Sequence, residues 1–209
     1  MKLREDEVAV PGPDGEIRAI MIEPVEGRRP GAVRQGVLLY TDIFQLTEST
    51  LRTARRLASS GFVVCAPEIY PRRLAGVALE FDDAGKQAGL EGAATTTTAQ
   101  FDADRAAVLD FLTERPDLDE LCTVGFCIGG HLAFRAAFDP RVAATVCFYP
   151  TGLQDGKLGA DDPGSLARAA EQRLPPPARP RPARSRRRGS RRRATAPARP
   201  LPVAARRGP

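Results

Sequence analysis

The sequence predicts an α/β fold with a mostly parallel central sheet flanked by helices, and three observations carry that expectation. Short apolar runs of the kind found in strands buried on both faces recur along the chain: "GVLLY", "FVVCAP", "ELCTVGF" and "VAATVCFY". The segments between them place apolar residues at helical spacing. Strand and helix alternate at the distance that a βαβ unit requires, which implies parallel pairing and right-handed crossovers.

In chain order, "EVAVPGPDGEIRAIMIEP" predicts a hairpin, two strands around a Pro/Gly/Asp turn. "RQGVLLYTD" predicts the next strand. "TESTLRTARRLASSG" predicts a helix capped by Thr47 or Ser49, with a Leu51/Ala54/Leu57/Ala58 stripe and a stop at Gly61. "FVVCAPEIY" is a strand ended by Pro67, and residues 71–99, rich in Gly, Ala and Thr, are expected to be irregular. "AQFDADRAAVLDFLTERPD" reads as a helix with Phe101, Ala107, Val108, Leu109, Phe111 and Leu112 on its apolar side. Then follow a strand "ELCTVGF", a helix "CIGGHLAFRAAFD" and a strand "VAATVCFYP".

Charge divides the 209-residue chain in two. Residues 1–171 hold 18 basic and 26 acidic residues, a net of −8, whereas residues 172–209 hold 13 arginines and no acid. The basic balance of the whole chain therefore belongs to its last segment. That segment also holds nine prolines and, as bulky aliphatics, only Leu174, Leu201 and Val203. It cannot bury enough apolar surface to offset its ordering entropy, so it is expected to be a disordered tail following a domain at 1–171.

Cys65, Cys122, Cys127 and Cys147 show no C-x-x-C spacing and no cluster with histidine, which argues against a zinc site. Cys65, Cys122 and Cys147 sit inside apolar strand runs and read as small buried hydrophobes. No apolar run reaches the length of a membrane span, and the polar, acidic N-terminus does not read as a signal peptide. A reducing cytoplasm is the expected compartment.

Cys127 is different. "GFCIGG", Gly125 to Gly130, matches the nucleophile elbow G-x-[nucleophile]-x-G with cysteine in the central place, preceded by a strand and followed by a helix. Such an elbow is a sharp, strained turn. Gly125 and Gly129 would keep Cβ atoms out of the strand–helix contact, and the helix N-terminus would favour a thiolate or an oxyanion. The bland alternative is a structural thiol; the strand–turn–helix context favours the nucleophile.

The chain resembles the dienelactone hydrolases of the α/β-hydrolase superfamily over roughly residues 5–170. The resemblance rests on "LLYTDIFQLTE", "FVVCAPEIYPR", "FDADRAAVLDFL", "GFCIGGHLAFRAA" and "VCFYPTGLQDGKLG", in that order. It implies an α/β-hydrolase-like fold and hydrolysis of a small ester or enol-lactone, usually anionic, through a cysteine nucleophile and an acyl-thioester, with no cofactor. It makes Cys127 the nucleophile and the backbone N–H groups of Ile43 and Ile128 the oxyanion hole. Asp42 stands where the family has a glutamate that interacts with the resting thiol. Arg72 matches an arginine that grips a substrate carboxylate, against the alternative that Arg72 and Arg73 are solvated loop charges. Tyr149 would line the pocket.

In α/β-hydrolases the triad acid and histidine follow the nucleophile, on loops after later strands. Beyond residue 171 this sequence has no Asp, Glu or His. The single histidine, His131, lies one helical turn past Cys127 and is expected to pack beneath the elbow rather than act as its base. The abrupt change to Arg, Pro, Ala and Gly, all GC-rich codons, predicts a frameshift near codons 171–175 and a sheet missing its last strands. The 143–148 strand would then be an exposed edge, with poor solubility and no esterase turnover. Two other roles are compatible with these features: a non-catalytic homologue binding small anions through Arg72 and the elbow amides, and a nucleic-acid binder acting through the basic tail. The second is disfavoured because the tail lacks aromatic residues for base stacking.

Overall fold

The computed structural model describes residues 1–25, 33–161 and 164–171. The expectations for residues 172–209, a disordered tail arising from a frameshift, lie outside the described residues. A six-stranded sheet has the order β1-β2-β4-β3-β5-β6. Its strands are β1 (Leu3–Gly12), β2 (Gly15–Pro24), β3 (Gln35–Tyr40), β4 (Val63–Pro67), β5 (Glu120–Phe126) and β6 (Val142–Phe148). The hairpin β1–β2 is antiparallel in one unbroken register from Leu3↔Pro24 to Gly12↔Gly15, and β2 joins β4 antiparallel. The β4–β3, β3–β5 and β5–β6 pairs are parallel, as the alternation of elements predicts.

Period-two burial explains the layering. In β3, Leu38 and Tyr40 enter one core cluster and Val37 and Leu39 the other. The first cluster gathers Val10, Ile17, Val63 and Leu121 of the sheet with Phe101, Val108, Leu109 and Leu112 of α3 (Thr98–Thr113) and Leu132, Ala133 and Ala136 of α4 (Ile128–Ala136). The second lies under α1 (Glu48–Ser59), where Ala54 and Ala58 pack on Ile20, Ile22, Val64 and Ala66. Small residues on the α1 stripe let the helix sit close to the sheet. The α1 N-cap is Thr47, and Thr97 caps α3 in a reciprocal capping box with Gln100.

One expectation is corrected. Residues 71–99 are not irregular throughout: Asp83–Ala94 form α2, capped by Asp82. Its sequence, DAGKQAGLEGAA, has poor helix propensity. The three glycines nevertheless fall on one face, all are buried, and each has a close neighbour where a side chain would begin. A Cβ at Gly85 would overlap the Glu80 carbonyl, one at Gly89 would lie 2.5 Å from the Ile43 carbonyl oxygen, and one at Gly92 would lie 3.0 Å from the Tyr70 ring. Tertiary contact selects glycine here against local propensity. A short helix, α5 (Ser165–Glu171), closes the described chain.

Among the described residues β6 is an edge strand. Its register sets Val146 opposite Val124 and Phe148 opposite Phe126. The α1 layer ends short of this corner, so Val124 and Phe126 are half-buried while Val146 and Phe148 are 47% and 45% exposed. No helix among the described residues is long and apolar enough to cross a membrane.

Candidate active site

The topology decides where a site can form. From β3 the chain runs to β4 on one side and later to β5 on the other, so the strand order reverses between β3 and β5. In open α/β sheets a crevice opens at such a switch point, beyond the carboxyl ends of the strands. Asp42 and Ile43 follow β3, Arg72 follows β4, Cys127 and Ile128 follow β5, and Tyr149 follows β6. The sequence-predicted residues therefore gather along one edge of the sheet.

Backbone strain is concentrated on that edge. The three non-glycine residues with positive φ among those described are Gln45 (φ 66°), in the loop after β3, and Cys127 (φ 58°) and Tyr149 (φ 36°), each directly past the end of a parallel strand. Cys127 has φ 58° and ψ −124°, a conformation that costs a non-glycine residue about 1–3 kcal/mol and persists only where its surroundings hold it. They do so closely. Its N–H donates to the Phe148 carbonyl at 3.2 Å, and its own carbonyl accepts from Gly130 at 3.0 Å and Thr151 at 3.1 Å. A Cβ on Gly125 would overlap the Gly129 carbonyl, and one on Gly129 would overlap the carbonyl of Thr41. Both glycines of the motif are required by this packing. The turn brings Cys127 to the N-terminus of α4, where helix amides lack intrahelical acceptors. Neither the Ile128 nor the Ile43 N–H donates to a backbone acceptor among the described residues.

Cys127 as a residue is half-buried, and its sulfur has Thr151 Oγ1 beside it at 3.7 Å. Asp42 does not bond the thiol: its Oδ1 accepts from the Phe44 N–H at 2.9 Å, the short side chain turning back onto its own loop. Burial raises the Asp42 carboxyl pKa, opposed by that hydrogen bond. Arg72 is held by carboxylates. Its Nη1 and Nη2 reach Asp104 at 2.7 and 2.9 Å and its Nε reaches Asp14 at 2.7 Å, tying the post-β4 loop to α3 and to the hairpin turn. Arg73 donates to the Thr95 carbonyl. Tyr149 is 67% exposed at the mouth, tilted against Phe126.

His131 is fully buried beneath the elbow. Nδ1 lies 3.1 Å from the Thr151 carbonyl oxygen and Nε2 lies 2.8 Å from Ser165 Oγ. A carbonyl only accepts, so Nδ1 carries the proton and Nε2 accepts from the serine hydroxyl. Ser165 Oγ also accepts from Arg135, whose guanidinium is paired with Asp102. With both ring nitrogens engaged away from the sulfur, His131 positions the Thr151 loop and does not face Cys127.

Three contributors went unread in the sequence. Thr151 is the polar neighbour of the sulfur. Gln45, fully buried, satisfies its whole amide by accepting from Ile69 and Tyr70 N–H and donating to the Leu74 and Val77 carbonyls, so it fastens the post-β3 and post-β4 loops together. Tyr70 is 1% exposed and its hydroxyl has no hydrogen-bond partner among the described residues. Burial, then the charges of Cys127 and Asp42, push that hydroxyl's pKa up. The positive φ of Gln45 and the glycine stripe of α2 are tertiary signals with no local sequence mark.

A strand–elbow–helix with a strained central residue, set at the switch point of a parallel sheet, defines an α/β-hydrolase-type protein. The sequence model of the dienelactone hydrolase family matches residues 17–166, and the chain belongs to that family. A Saccharomyces cerevisiae protein named "Putative carboxymethylenebutenolidase" is 35% identical over 159 residues, 75% of this chain and 58% of the relative. A protein of the same name from Synechocystis sp. is 28% identical over 159 residues, covering 75% and 63%. The fold is like that of a solved Klebsiella pneumoniae structure described as a candidate dienelactone hydrolase, with TM-score 0.60 and 24% identity over 72% of this chain and 61% of that one. The chain thus spans about three-fifths of the length of these relatives.

Proposed function

We propose that this chain carries the acylation half of a cysteine-dependent ester or lactone hydrolase. The Cys127 thiolate attacks the carbonyl carbon of a small ester, the oxygen becomes an oxyanion facing the Ile43 and Ile128 N–H groups, and the C–O bond then breaks. The acyl group stays on Sγ as a thioester, and the alkoxide leaves and takes a proton from water. The observation that carries this reading is the strained conformation of Cys127 between two glycines that cannot bear a side chain, because a merely structural thiol needs no such turn.

Deacylation needs a water activated by an oriented base. The one histidine of the sequence has both ring nitrogens engaged beneath the elbow, so the reaction is expected to stop at the acyl-enzyme. Arg72 holds Asp104 and Asp14, so a substrate carboxylate would have to displace one of them. The proposal therefore commits to ester chemistry and not to a negative charge, and it disfavours anion binding through Arg72. Four cysteines without a disulfide fit action in a reducing cytoplasm.

The test is a reaction with p-nitrophenyl acetate followed by mass spectrometry. Release of one equivalent of p-nitrophenolate per chain is expected, with acetyl mass on the peptide carrying Cys127 and none in Cys127→Ala. Continued turnover would refute the arrest, and labelling that survives Cys127→Ala would refute the nucleophile.

A further inference from the structure

The third glycine of the elbow motif serves a neighbour of the turn. A Cβ on Gly130, in the first turn of α4, would sit 2.8 Å from the Phe148 carbonyl oxygen and 3.0 Å from the Pro150 Cα. A bare glycine there lets the segment after β6 lie against the helix. That segment, Tyr149-Pro150-Thr151-Gly152, has positive φ at both ends, 36° at Tyr149 and 71° at Gly152. Its far end is closed by the Lys157 N–H, which donates to the Gly152 carbonyl at 2.8 Å.

Thr151 is tied to the elbow through both of its own peptide groups. Its N–H donates to the Cys127 carbonyl at 3.1 Å, and its carbonyl accepts from His131 Nδ1 at 3.1 Å. With the backbone held on both sides, the hydroxyl is placed by χ1 alone, which β-branching restricts. Oγ1 then lies 3.7 Å from Cys127 Sγ, its hydrogen-bond partner among the described residues. Asp42 does not compete for this place, because its carboxylate accepts from the Phe44 N–H instead.

While the sulfur keeps its proton, either atom can donate. A thiolate can only accept, so the Thr151 hydroxyl must then be the donor. We propose that Thr151 is a catalytic residue that donates a hydrogen bond to the Cys127 thiolate and holds the sulfur in its attacking form. This rests on the reading of Cys127 as the nucleophile. The resting distance is long, and catalytic hydrogen bonds commonly tighten once the reacting form is reached. The proposal also gives the buried histidine its purpose, since the carbonyl it holds belongs to the residue whose hydroxyl meets the sulfur.

The test compares the wild-type chain with Thr151→Val, which keeps the shape and removes the hydroxyl, and Thr151→Ser, which keeps the hydroxyl. Thr151 is exposed, so both variants are expected to keep the wild-type thermal midpoint. The first readout is the rate of alkylation of the Cys127 peptide by iodoacetamide at pH 7.5, followed by mass spectrometry. Thr151→Val is expected to slow it by roughly two- to fourfold. This is less than the full worth of a hydrogen bond, because a thiolate freed of its donor forms less readily but is intrinsically more nucleophilic. Thr151→Ser is expected to restore most of the rate. The second readout, the rate of p-nitrophenolate release, should follow the same order. A folded Thr151→Val alkylated at the wild-type rate or faster would overturn the proposal, as would a Thr151→Ser as slow as Thr151→Val, which would assign the effect to the methyl group. Alkylation needs neither an ester nor an oxyanion hole. A wild-type chain that alkylates normally but releases no p-nitrophenolate would therefore refute the esterase reading, while the role of Thr151 is still decided by the first readout.

Discussion

Acidification from pH 7.5 to pH 5.5 is expected to destabilise the folded chain through His131. Burial is the main cause of its lowered pKa; the bond to the Thr151 carbonyl opposes the shift and the Arg135 charge adds to it. Protonation would also disturb the local network, since Nε2 would become a donor to Ser165 Oγ and the serine O–H would lose its acceptor. In the unfolded chain the imidazole returns to an ordinary pKa near 6.5. Below that value the unfolded state takes up a proton that the native state refuses, so stability is present above it and lost as the pH falls. With the native ring held neutral, the loss at pH 5.5 reaches a ceiling of about 1.4 kcal/mol, against almost nothing at pH 7.5. Urea denaturation at the two pH values measures this difference directly. The sequence has no other histidine, so His131→Gln should remove most of the slope in this window. A slope that persists unchanged in His131→Gln, or a wild-type stability that is flat from 7.5 to 5.5, would refute the reasoning. Asp42, whose carboxyl pKa is raised by burial, contributes with the opposite sign and is common to both proteins.

Gly129→Ala is expected to lower stability by at least about 1–3 kcal/mol, because the added methyl meets the backbone carbonyls of Tyr40 and Thr41, which cannot rotate away; calorimetry reads it. The same variant should lose acylation of Cys127 in the p-nitrophenyl acetate assay even where it remains folded. Leu109→Ala, at a fully buried position of α3, should cost about 2–5 kcal/mol by urea denaturation. Val146→Lys with Phe148→Lys should reduce light scattering on concentration and leave the circular dichroism spectrum unchanged, because both side chains stand exposed on the edge strand.

Much of this architecture was legible in the sequence because local physics and tertiary structure agree along most of it. β3 and β4 are short runs of aliphatic residues with little polar content, which only a sheet covered on both faces accommodates. Thr47 at the start of α1 announces itself by a hydroxyl followed by an amphipathic stripe. Cys127 was legible for a sharper reason: a lone residue between glycines at a strand–helix junction is a steric prescription, and the packing of Gly125 and Gly129 against backbone carbonyls shows what it prescribes. α2 was not legible, since its glycines oppose helix formation locally and are explained only by how closely Ile43 and Tyr70 approach. Gln45 and Thr151 were not legible either. Their roles depend on segments distant in sequence meeting at one edge of the sheet.

The role of Arg72 illustrates the same division. A motif match assigns it to a ligand, while Asp14 and Asp104, distant from it in the chain, converge on its guanidinium once the hairpin and α3 are in place. The amino-acid order alone determines the α/β alternation, the elbow and the family, because strand burial, helix capping and a glycine-flanked turn are local constraints read within a few residues. Which side chains face the sulfur, which carboxylates hold the arginine and which nitrogen of His131 carries its proton are decided only by the tertiary structure. Those are matters of ångström-scale distance between separate strands and loops, and chain order does not encode distance except through the fold.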